Sequence, residues 1–86
     1  MPFVYIARCS DDTLYTGTAV NLEKRIMTHN AGKGAKYTRG RIPLTVVFSE
    51  EFSTLGEAMK RESIIKKMSR NEKMRMAEMQ GSGLII

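Results

Sequence analysis

Apolar and polar segments alternate at the start of the chain in a way that predicts a β-hairpin. Residues 3–9 form an apolar run rich in β-branched and aromatic side chains, and a short polar segment follows it. A run of this kind, bounded by turn-forming residues, is typical of a strand. A second short strand is predicted over residues 14–16 and is expected to end at Gly17. Tyr5 and Tyr15 would then stand on opposite arms of the hairpin.

A short helix is predicted to follow the hairpin. Asn21 is a favoured N-cap, because its side chain can accept a backbone N–H that the first turn leaves unpaired. Leu22 and Ile26 lie one turn apart and form a thin apolar stripe over residues 22–29. Gly32 is expected to end the helix.

The second half of the chain predicts one more strand and two more helices. Residues 44–50 are rich in apolar and β-branched side chains and form the third predicted strand. Two S/T-x-x-E capping boxes, at residues 54–57 and 69–72, predict helices over residues 55–67 and 70–79. The order β-β-α-β-α-α describes an α+β domain in which helices flank a small three-stranded sheet, antiparallel or mixed.

Length and composition predict one small basic domain. Eighty-six residues suffice for one modest core, so we expect a single domain over residues 1–80 and a flexible tail over residues 81–86. Fourteen Lys and Arg against nine Asp and Glu give a net charge of +5, which favours nucleic acid or another anionic surface as partner. No apolar run approaches the roughly 18 residues of a membrane helix, and no signal-peptide pattern is present. Cys9, the single cysteine, is expected to be a buried, inert thiol in a cytoplasmic protein.

One acidic residue interrupts the apolar stripe of the helix predicted over residues 55–67. The apolar side chains that fall within about 60° of Glu62, at roughly 100° per residue, are Leu55, Ala58, Met59 and Ile65. A carboxylate is rarely placed on such a face unless it is paired or bound. Two interpretations stay open at this point: an ion pair with an arginine, or a ligand for a hard cation such as Mg²⁺.

Other polar side chains have both a structural and a chemical interpretation. Arg25 and His29 are four residues apart and share one face of the first helix. They form either a solvated polar edge or a cation for phosphate beside an imidazole that can take or give a proton. Tyr5 and Tyr15 are likewise either strand aromatics with satisfied hydroxyls or catalytic groups.

A glycine-punctuated basic loop covers residues 32–41. It carries four cations and one aromatic ring, namely Lys33, Lys36, Arg39, Arg41 and Tyr37. Such a mixture suits phosphate contacts and base stacking, and glycine lets the backbone approach a ligand. The alternative is a solvated, mobile loop.

Taken in order, these motifs resemble the GIY-YIG endonuclease superfamily, and most closely its small stand-alone bacterial-type branch. The residues that carry the resemblance are Tyr5, the Tyr15-Thr16-Gly17 triplet, Arg25, His29 and Glu62. The stretches 32–39 and 62–68 are similar to signatures of the branch. The resemblance extends over roughly residues 3–76.

The resemblance implies hydrolysis of a DNA phosphodiester on one divalent metal ion, Mg²⁺ or Mn²⁺. It implies that Glu62 is the sole protein ligand of that ion and that Arg25 stabilises charge on the phosphate. Tyr15 matches the general base and Tyr5 the tyrosine that orients water and phosphate. His29 matches a proton shuttle, so the choice of base between Tyr15 and His29 stays open.

Some positions depart from the family pattern. Phe3 stands where the first motif has glycine, and Thr16 where the second has isoleucine. Family members usually carry an asparagine on the last helix; here Asn71 and Lys73 come nine and eleven residues after Glu62, and neither matches cleanly. Lys73 is grouped with the basic loop as a nucleic-acid-binding residue.

The expected function is therefore a structure-selective or weakly sequence-specific endonuclease acting on DNA, such as branched or flapped DNA, in repair or recombination. RNA stays open as a substrate, and a protein partner or a homodimer would supply specificity. The main alternative is a catalytically weak or inactive nucleic-acid-binding module of the same fold. A further alternative is an adaptor whose basic surface meets an acidic protein.

Overall fold

A computed structural model describes residues 1–80 of the chain, so the tail predicted over residues 81–86 lies outside the described residues. The elements are β1 (Phe3–Arg8), β2 (Leu14–Ala19), α1 (Leu22–Asn30), β3 (Thr45–Glu51), α2 (Leu55–Lys66) and α3 (Arg70–Gln80). One turn of 3₁₀ helix, Lys36–Thr38, lies within the basic loop. The predicted order β-β-α-β-α-α and the α+β class are confirmed.

The strands form an antiparallel sheet with β1 at its centre, in the order β2-β1-β3. Side chains alternate across β1 because successive residues of a strand point to opposite faces. Tyr5 and Ala7 pack on one face together with α1, whereas Val4 and Ile6 pack on the other face with α2 and α3. Two thin apolar layers therefore hold the sheet, and Cys9 is a buried free thiol in the first of them, as expected.

Gly17 lies inside β2, and the expectation that it ends the strand is wrong. The strand continues to Ala19, and Gly17 pairs with Tyr5 across the ladder. A Cβ atom on Gly17 would lie 2.6 Å from the Tyr5 hydroxyl oxygen and 3.0 Å from the ring of Tyr15. Glycine is needed here because the two aromatic side chains lie over the strand, which is one of the recognised uses of glycine within sheets.

The capping residues lie where the sequence predicts them. The Oδ1 atom of Asn21 accepts a backbone N–H of the first turn of α1 at 3.0 Å, and Gly32 follows that helix with a φ of 78°. Ser69 and Glu72 bond reciprocally, at 3.2 Å to the Ser69 hydroxyl and 2.8 Å to the Glu72 carboxylate. At residues 54–57 the Thr54 hydroxyl accepts the backbone N–H of Glu57 at 3.2 Å, and the Glu57 carboxylate accepts from that hydroxyl instead of from the Thr54 backbone. Local chemistry therefore sets these helix boundaries to within about one residue.

The apolar stripe predicted around Glu62 is only half buried. Ala58 and Ile65 are fully buried against the sheet, but Leu55 is 51% exposed and Met59 55% exposed. These four residues flank Glu62 on a helical wheel. The buried face of α2 is therefore centred on the side of Glu62 that carries Ala58 and Ile65, not on Glu62 itself. Glu62 consequently lies at the border of the core, where one side of the carboxylate can face polar groups.

Candidate active site

Tyr5, Tyr15 and His29 converge on one face of the sheet. The ring centroids of Tyr15 and His29 are 5.2 Å apart, and that of Tyr5 lies 6.2 Å from Tyr15 and 6.3 Å from His29. The two tyrosines come from neighbouring strands, and α1 carries the histidine across them. The contact is possible because Gly17 leaves space for both tyrosine rings.

A directional chain of hydrogen bonds runs through the buried imidazole of His29. Its Nε2 atom is 2.9 Å from the Tyr5 hydroxyl, and its Nδ1 atom is 2.8 Å from the Thr38 hydroxyl. The Thr38 hydroxyl donates to the carbonyl oxygen of Ala35 at 2.9 Å, so it has no proton left for His29 and must accept from Nδ1–H. Nε2 is then the bare nitrogen that accepts the O–H of Tyr5.

The electrostatic surroundings keep this histidine neutral. Burial lowers the pKa of His29 below its usual value, and the positive charge of Arg25 lowers it further. His29 has no exposed surface, so the alternative that it forms a solvated polar edge is wrong. The tautomer assigned above is therefore the one that the folded protein holds at neutral pH.

The basic loop is built against this histidine. Gly34 packs on the imidazole so closely that a Cβ atom there would lie 2.2 Å from Nδ1, and Thr38 of the same loop is fully buried. The alternative of a wholly solvated loop is thus wrong for these two residues. Sequence reasoning missed the role of Thr38, because an uncharged threonine in a basic segment gives no signal of its own.

Arg25 is half-buried beside the two tyrosines. The Tyr5 hydroxyl raises the pKa of the Arg25 guanidinium most, and the Tyr15 hydroxyl raises it further, while burial lowers it. Within residues 1–80 neither hydroxyl forms a well-aligned hydrogen bond with the guanidinium. Burial raises the pKa of Tyr5 to about 12, even though Arg25 opposes the shift. Tyr5 is therefore a protonated hydrogen-bond donor at neutral pH, next to a permanent positive charge.

Glu62 reaches the edge of β2 from α2 on the other side of the sheet. Its Oε1 atom accepts a hydrogen bond of 2.5 Å from the hydroxyl of Thr18, and its Oε2 atom lies 2.9 Å from the ammonium group of Lys66. Burial alone would raise the pKa of Glu62, but Thr18 and Lys66 outweigh it and lower the pKa below its usual value. The alternative of an ion pair with an arginine is wrong in its partner, because Lys66, one turn along the helix, pairs with Glu62 instead.

The position of Glu62 suits a single hard cation. Its side chain is 19% exposed, and that of Lys66 is 56% exposed, so the lysine can move into solvent without disturbing the core. Residues 1–80 contain no cluster of three or more His, Cys, Asp or Glu that would form a closed metal site. Mg²⁺ is commonly held by one or two carboxylates together with waters and substrate phosphate, so an oxygen donor of this kind fits Mg²⁺ or Mn²⁺.

The cations predicted to bind nucleic acid fall into two groups. Lys33, Lys36 and Arg39 are exposed on the loop, whereas Arg41 is half-buried against Tyr37. Lys73 lies apart from them on α3.

Lys73 and Asn71 have different surroundings on α3. Burial lowers the pKa of the half-buried Lys73, and the nearby positive charge of Lys66 lowers it further. Lys73 is therefore near Lys66, while Asn71 is exposed.

Most of the chain is similar to proteins of one family. Residues 1–76 match the model of the GIY-YIG catalytic domain. A UPF0213 protein of Staphylococcus haemolyticus is 55% identical over 88% of this chain and 93% of its own length. A UPF0213 protein of Clostridium perfringens is 54% identical over 88% of this chain and 82% of its own length.

Two solved structures have the same fold. The solution NMR structure of a UPF0213 protein from Bacillus halodurans is 41% identical, with a TM-score of 0.60, and the match covers 95% of this chain and 88% of that one. The solution NMR structure of a protein from E. faecalis is 37% identical, with a TM-score of 0.58, over 85% and 78% of the two chains. The chain therefore belongs to the GIY-YIG family, and its relatives place it among the small UPF0213 proteins.

Proposed function

We propose that this protein is a metal-dependent endonuclease that hydrolyses phosphodiester bonds in DNA, with structure selectivity or weak sequence specificity. The GIY-YIG domain is an endonuclease-type catalytic domain. The observation that carries the proposal is the convergence of Tyr5, Tyr15 and His29 beside the half-buried guanidinium of Arg25. Glu62 supplies a carboxylate at the edge of β2 for the proposed metal ion. This carboxylate is close enough for its charge to raise the pKa of Tyr5.

Arg25 is proposed to bind a non-bridging oxygen of the scissile phosphate. A guanidinium that is partly withdrawn from solvent stabilises the developing negative charge more strongly than one in bulk water. Glu62 would hold Mg²⁺ or Mn²⁺, which supplies Lewis-acid stabilisation of the phosphate and a more acidic water. The neighbouring Lys66 would leave the carboxylate and remain near the phosphate.

The two tyrosines are proposed to have different roles. The side chain of Tyr15 is partly exposed and its hydroxyl has no well-aligned partner within residues 1–80, so it can reach an attacking water. Tyr5 and His29 are fully buried and bonded to each other. We therefore assign the general base to Tyr15, and we assign Tyr5 to positioning, with His29 holding its hydroxyl and available to take its proton.

A cleavage assay tests the proposal. Branched, flapped and linear DNA are incubated with the protein and with Mg²⁺ or Mn²⁺, and Glu62→Gln serves as the matched control because it keeps the size of the side chain and removes its charge. We expect metal-dependent cleavage by the wild type and none by Glu62→Gln. Equal cleavage by both proteins, or cleavage in the presence of a chelator, would contradict the assignment of Glu62.

One observation favours the alternative of a weak or inactive nucleic-acid-binding module. Glu62 is already ion-paired with Lys66 and hydrogen-bonded to Thr18. This alternative predicts metal-independent DNA binding that Arg25→Ala weakens, without cleavage of any substrate in the panel. An adaptor for an acidic protein would instead bind its partner equally well after Arg25→Ala and Glu62→Gln.

We also propose that residues 1–80 act as one domain, in the cytoplasm, on DNA that arises in repair or recombination. No helix in the described part of the chain is long and apolar enough to cross a membrane. The buried free thiol of Cys9 suits a reducing compartment. Contacts from the exposed loop cations to phosphates carry no sequence information, so DNA shape, a protein partner or a second copy is proposed to supply specificity, and the same contacts would serve RNA.

A further inference from the structure

A stack of planar groups runs outward from Tyr15 along the basic loop. The ring of Tyr37 lies nearly parallel to that of Tyr15, at 22° and with centroids 6.1 Å apart. The guanidinium carbon of Arg41 lies 4.3 Å from the centroid of Tyr37. The proposed hydrolysis gives Tyr15 a role but uses neither Tyr37 nor Arg41, so this stack calls for its own explanation.

Two hydrogen bonds from the guanidinium nitrogens of Arg41 hold this group over the ring of Tyr37. The Nε atom donates to the carbonyl oxygen of Tyr37 at 2.9 Å, and a terminal nitrogen pairs with the carboxylate of Asp11. Asp11 is held in turn by the hydroxyl of Thr13 at 2.6 Å, and the carbonyl of Arg41 accepts the N–H of Ser10 at 2.8 Å. The loop is thus tied to the β1–β2 turn through Arg41.

These contacts leave one surface of Arg41 available. Its guanidinium carbon lies over the Tyr37 ring, two of its nitrogens are engaged in hydrogen bonds, and the side chain is still 36% exposed. An arginine with its edge engaged is less able to clamp a phosphate through two parallel bonds. Its planar face, however, can stack on a nucleobase, as arginine does when proteins bind unpaired nucleotides.

We propose that the outer face of the Arg41–Tyr37 stack binds an unpaired nucleobase next to the phosphate held by Arg25, which makes DNA with an unpaired nucleotide beside the cleavage site the preferred substrate. This inference rests on the proposed nuclease function, and it names the substrate class. A base in an intact duplex must first leave its neighbours, at a cost of a few kcal/mol. A base in a flap or at a branch avoids that cost, so the stack selects these structures.

Binding without metal tests this proposal separately from cleavage. A flap substrate and a duplex of equal length and charge are each labelled with 2-aminopurine, whose fluorescence falls when the base is stacked, and are titrated with protein in the presence of a chelator. We expect the flap to bind more tightly than the duplex by about 5- to 150-fold, the range that stacking of one base on an aromatic group provides. The unpaired 2-aminopurine should lose fluorescence on binding.

Matched variants test whether the Arg41–Tyr37 stack causes the preference for flap over duplex DNA. Tyr37→Leu and Arg41→Lys should each reduce the preference for the flap to about twofold or less, because the first removes the ring and the second keeps the charge but loses the plane. Tyr37→Phe should keep the preference. Lys36→Ala removes one exposed charge and should weaken binding of both substrates by the same factor.

The outcomes also separate this inference from the nuclease assignment. Preference for the flap without any cleavage would support the stack and count against the nuclease. Metal-dependent cleavage with equal affinity for flap and duplex would overturn the stack and leave the nuclease intact. Retention of the full preference by both Tyr37→Leu and Arg41→Lys, with thermal melting unchanged, would also overturn it.

Discussion

Two glycines determine how closely the rings of the candidate site can pack. Gly17 lies beneath Tyr5 and Tyr15, and Gly34 lies against the imidazole of His29. At both positions a methyl group would come closer than van der Waals contact to a ring that is already held by neighbours. The compact arrangement of Tyr5, Tyr15 and His29 therefore depends on the absence of a Cβ atom at two places far apart in sequence.

Replacing Gly34 by alanine should destabilise the fold and disrupt the site. The new Cβ would lie 2.2 Å from Nδ1 of His29, and the imidazole cannot retreat because Tyr5 and Thr38 hold both its nitrogens. We expect a loss of about 1–3 kcal/mol in the free energy of unfolding, the usual cost of overpacking, measured by urea denaturation. Gly40→Ala is the control, since no atom of residues 1–80 lies within 4 Å of its Cβ position. Equal losses from the two substitutions would refute the steric explanation.

Replacing each tyrosine by phenylalanine separates catalysis from packing. Tyr15→Phe keeps the ring and removes a hydroxyl that has no well-aligned partner in the described part of the chain, so stability should change by less than about 1 kcal/mol. Its turnover should fall by about 10²–10⁴-fold, the usual contribution of a positioned base. Tyr5→Phe leaves the buried Nε2 atom of His29 without a donor and should cost about 1–3 kcal/mol in stability, with a smaller loss of turnover. Wild-type cleavage rates for Tyr15→Phe would end its assignment as the base.

At the scale of elements, the parts that sequence could predict are those with a local cause. The capping side chains of Asn21, Thr54 and Ser69 act within one turn, so the helix boundaries follow from the residues themselves. The position of Gly17 within β2 cannot be predicted locally, because its role depends on Tyr5, which pairs with it across the ladder. A glycine that ends a strand and one that makes room within it give the same local pattern.

Only the charged and aromatic residues of the candidate site can be predicted from the sequence. Tyr5, Tyr15, Arg25, His29 and Glu62 can be picked out because they match the family pattern. Their partners Thr18 and Thr38 cannot, because a threonine becomes a hydrogen-bond partner only when folding brings it to Glu62 or His29. The burial of His29 also depends on the loop that folds over it.

The basic loop supplies the next prediction. Lys36 and Arg39 are exposed, so their contacts with DNA would be to phosphate and independent of sequence. Changing both to alanine should weaken binding to all sequences alike and lower the slope of log K against log salt by about two. Fluorescence anisotropy at several salt concentrations measures this. A loss confined to one sequence would indicate base recognition instead.

At the scale of the whole molecule, the buried histidine links folding to pH. Burial and Arg25 lower the pKa of His29 in the folded protein, whereas in the unfolded chain it titrates near about 6.5. Below that pH the unfolded state binds a proton that the folded state does not, so stability falls as the pH decreases, by up to about 1.4 kcal/mol per pH unit. Denaturation between pH 7 and 5 should show this slope in the wild type and a flatter one in His29→Gln. Parallel slopes would contradict the neutral histidine.

Metal binding to Glu62 should appear as a change in the stability of the whole domain. A ligand that binds only the folded state at ten times its Kd adds about 1.4 kcal/mol, which corresponds to roughly 5–10 °C in Tm for a domain of this size. Mg²⁺ or Mn²⁺ should therefore raise the Tm of the wild type but not that of Glu62→Gln.

The ion pair with Lys66 makes this measurement more specific. The ammonium group occupies one carboxylate oxygen, so a cation must displace it, and Lys66→Ala should shift the metal titration to lower concentration. Lys67→Ala removes an exposed charge at the C-terminal end of α2 and should leave the titration closer to that of the wild type. Because the Lys66 side chain is 56% exposed, the pair itself contributes about 1 kcal/mol at most, and metal-free Glu62→Gln should melt near the wild type. A metal-free Glu62→Gln that is strongly destabilised, together with a wild type whose Tm does not respond to either cation, would show that Glu62 serves the fold and not a metal.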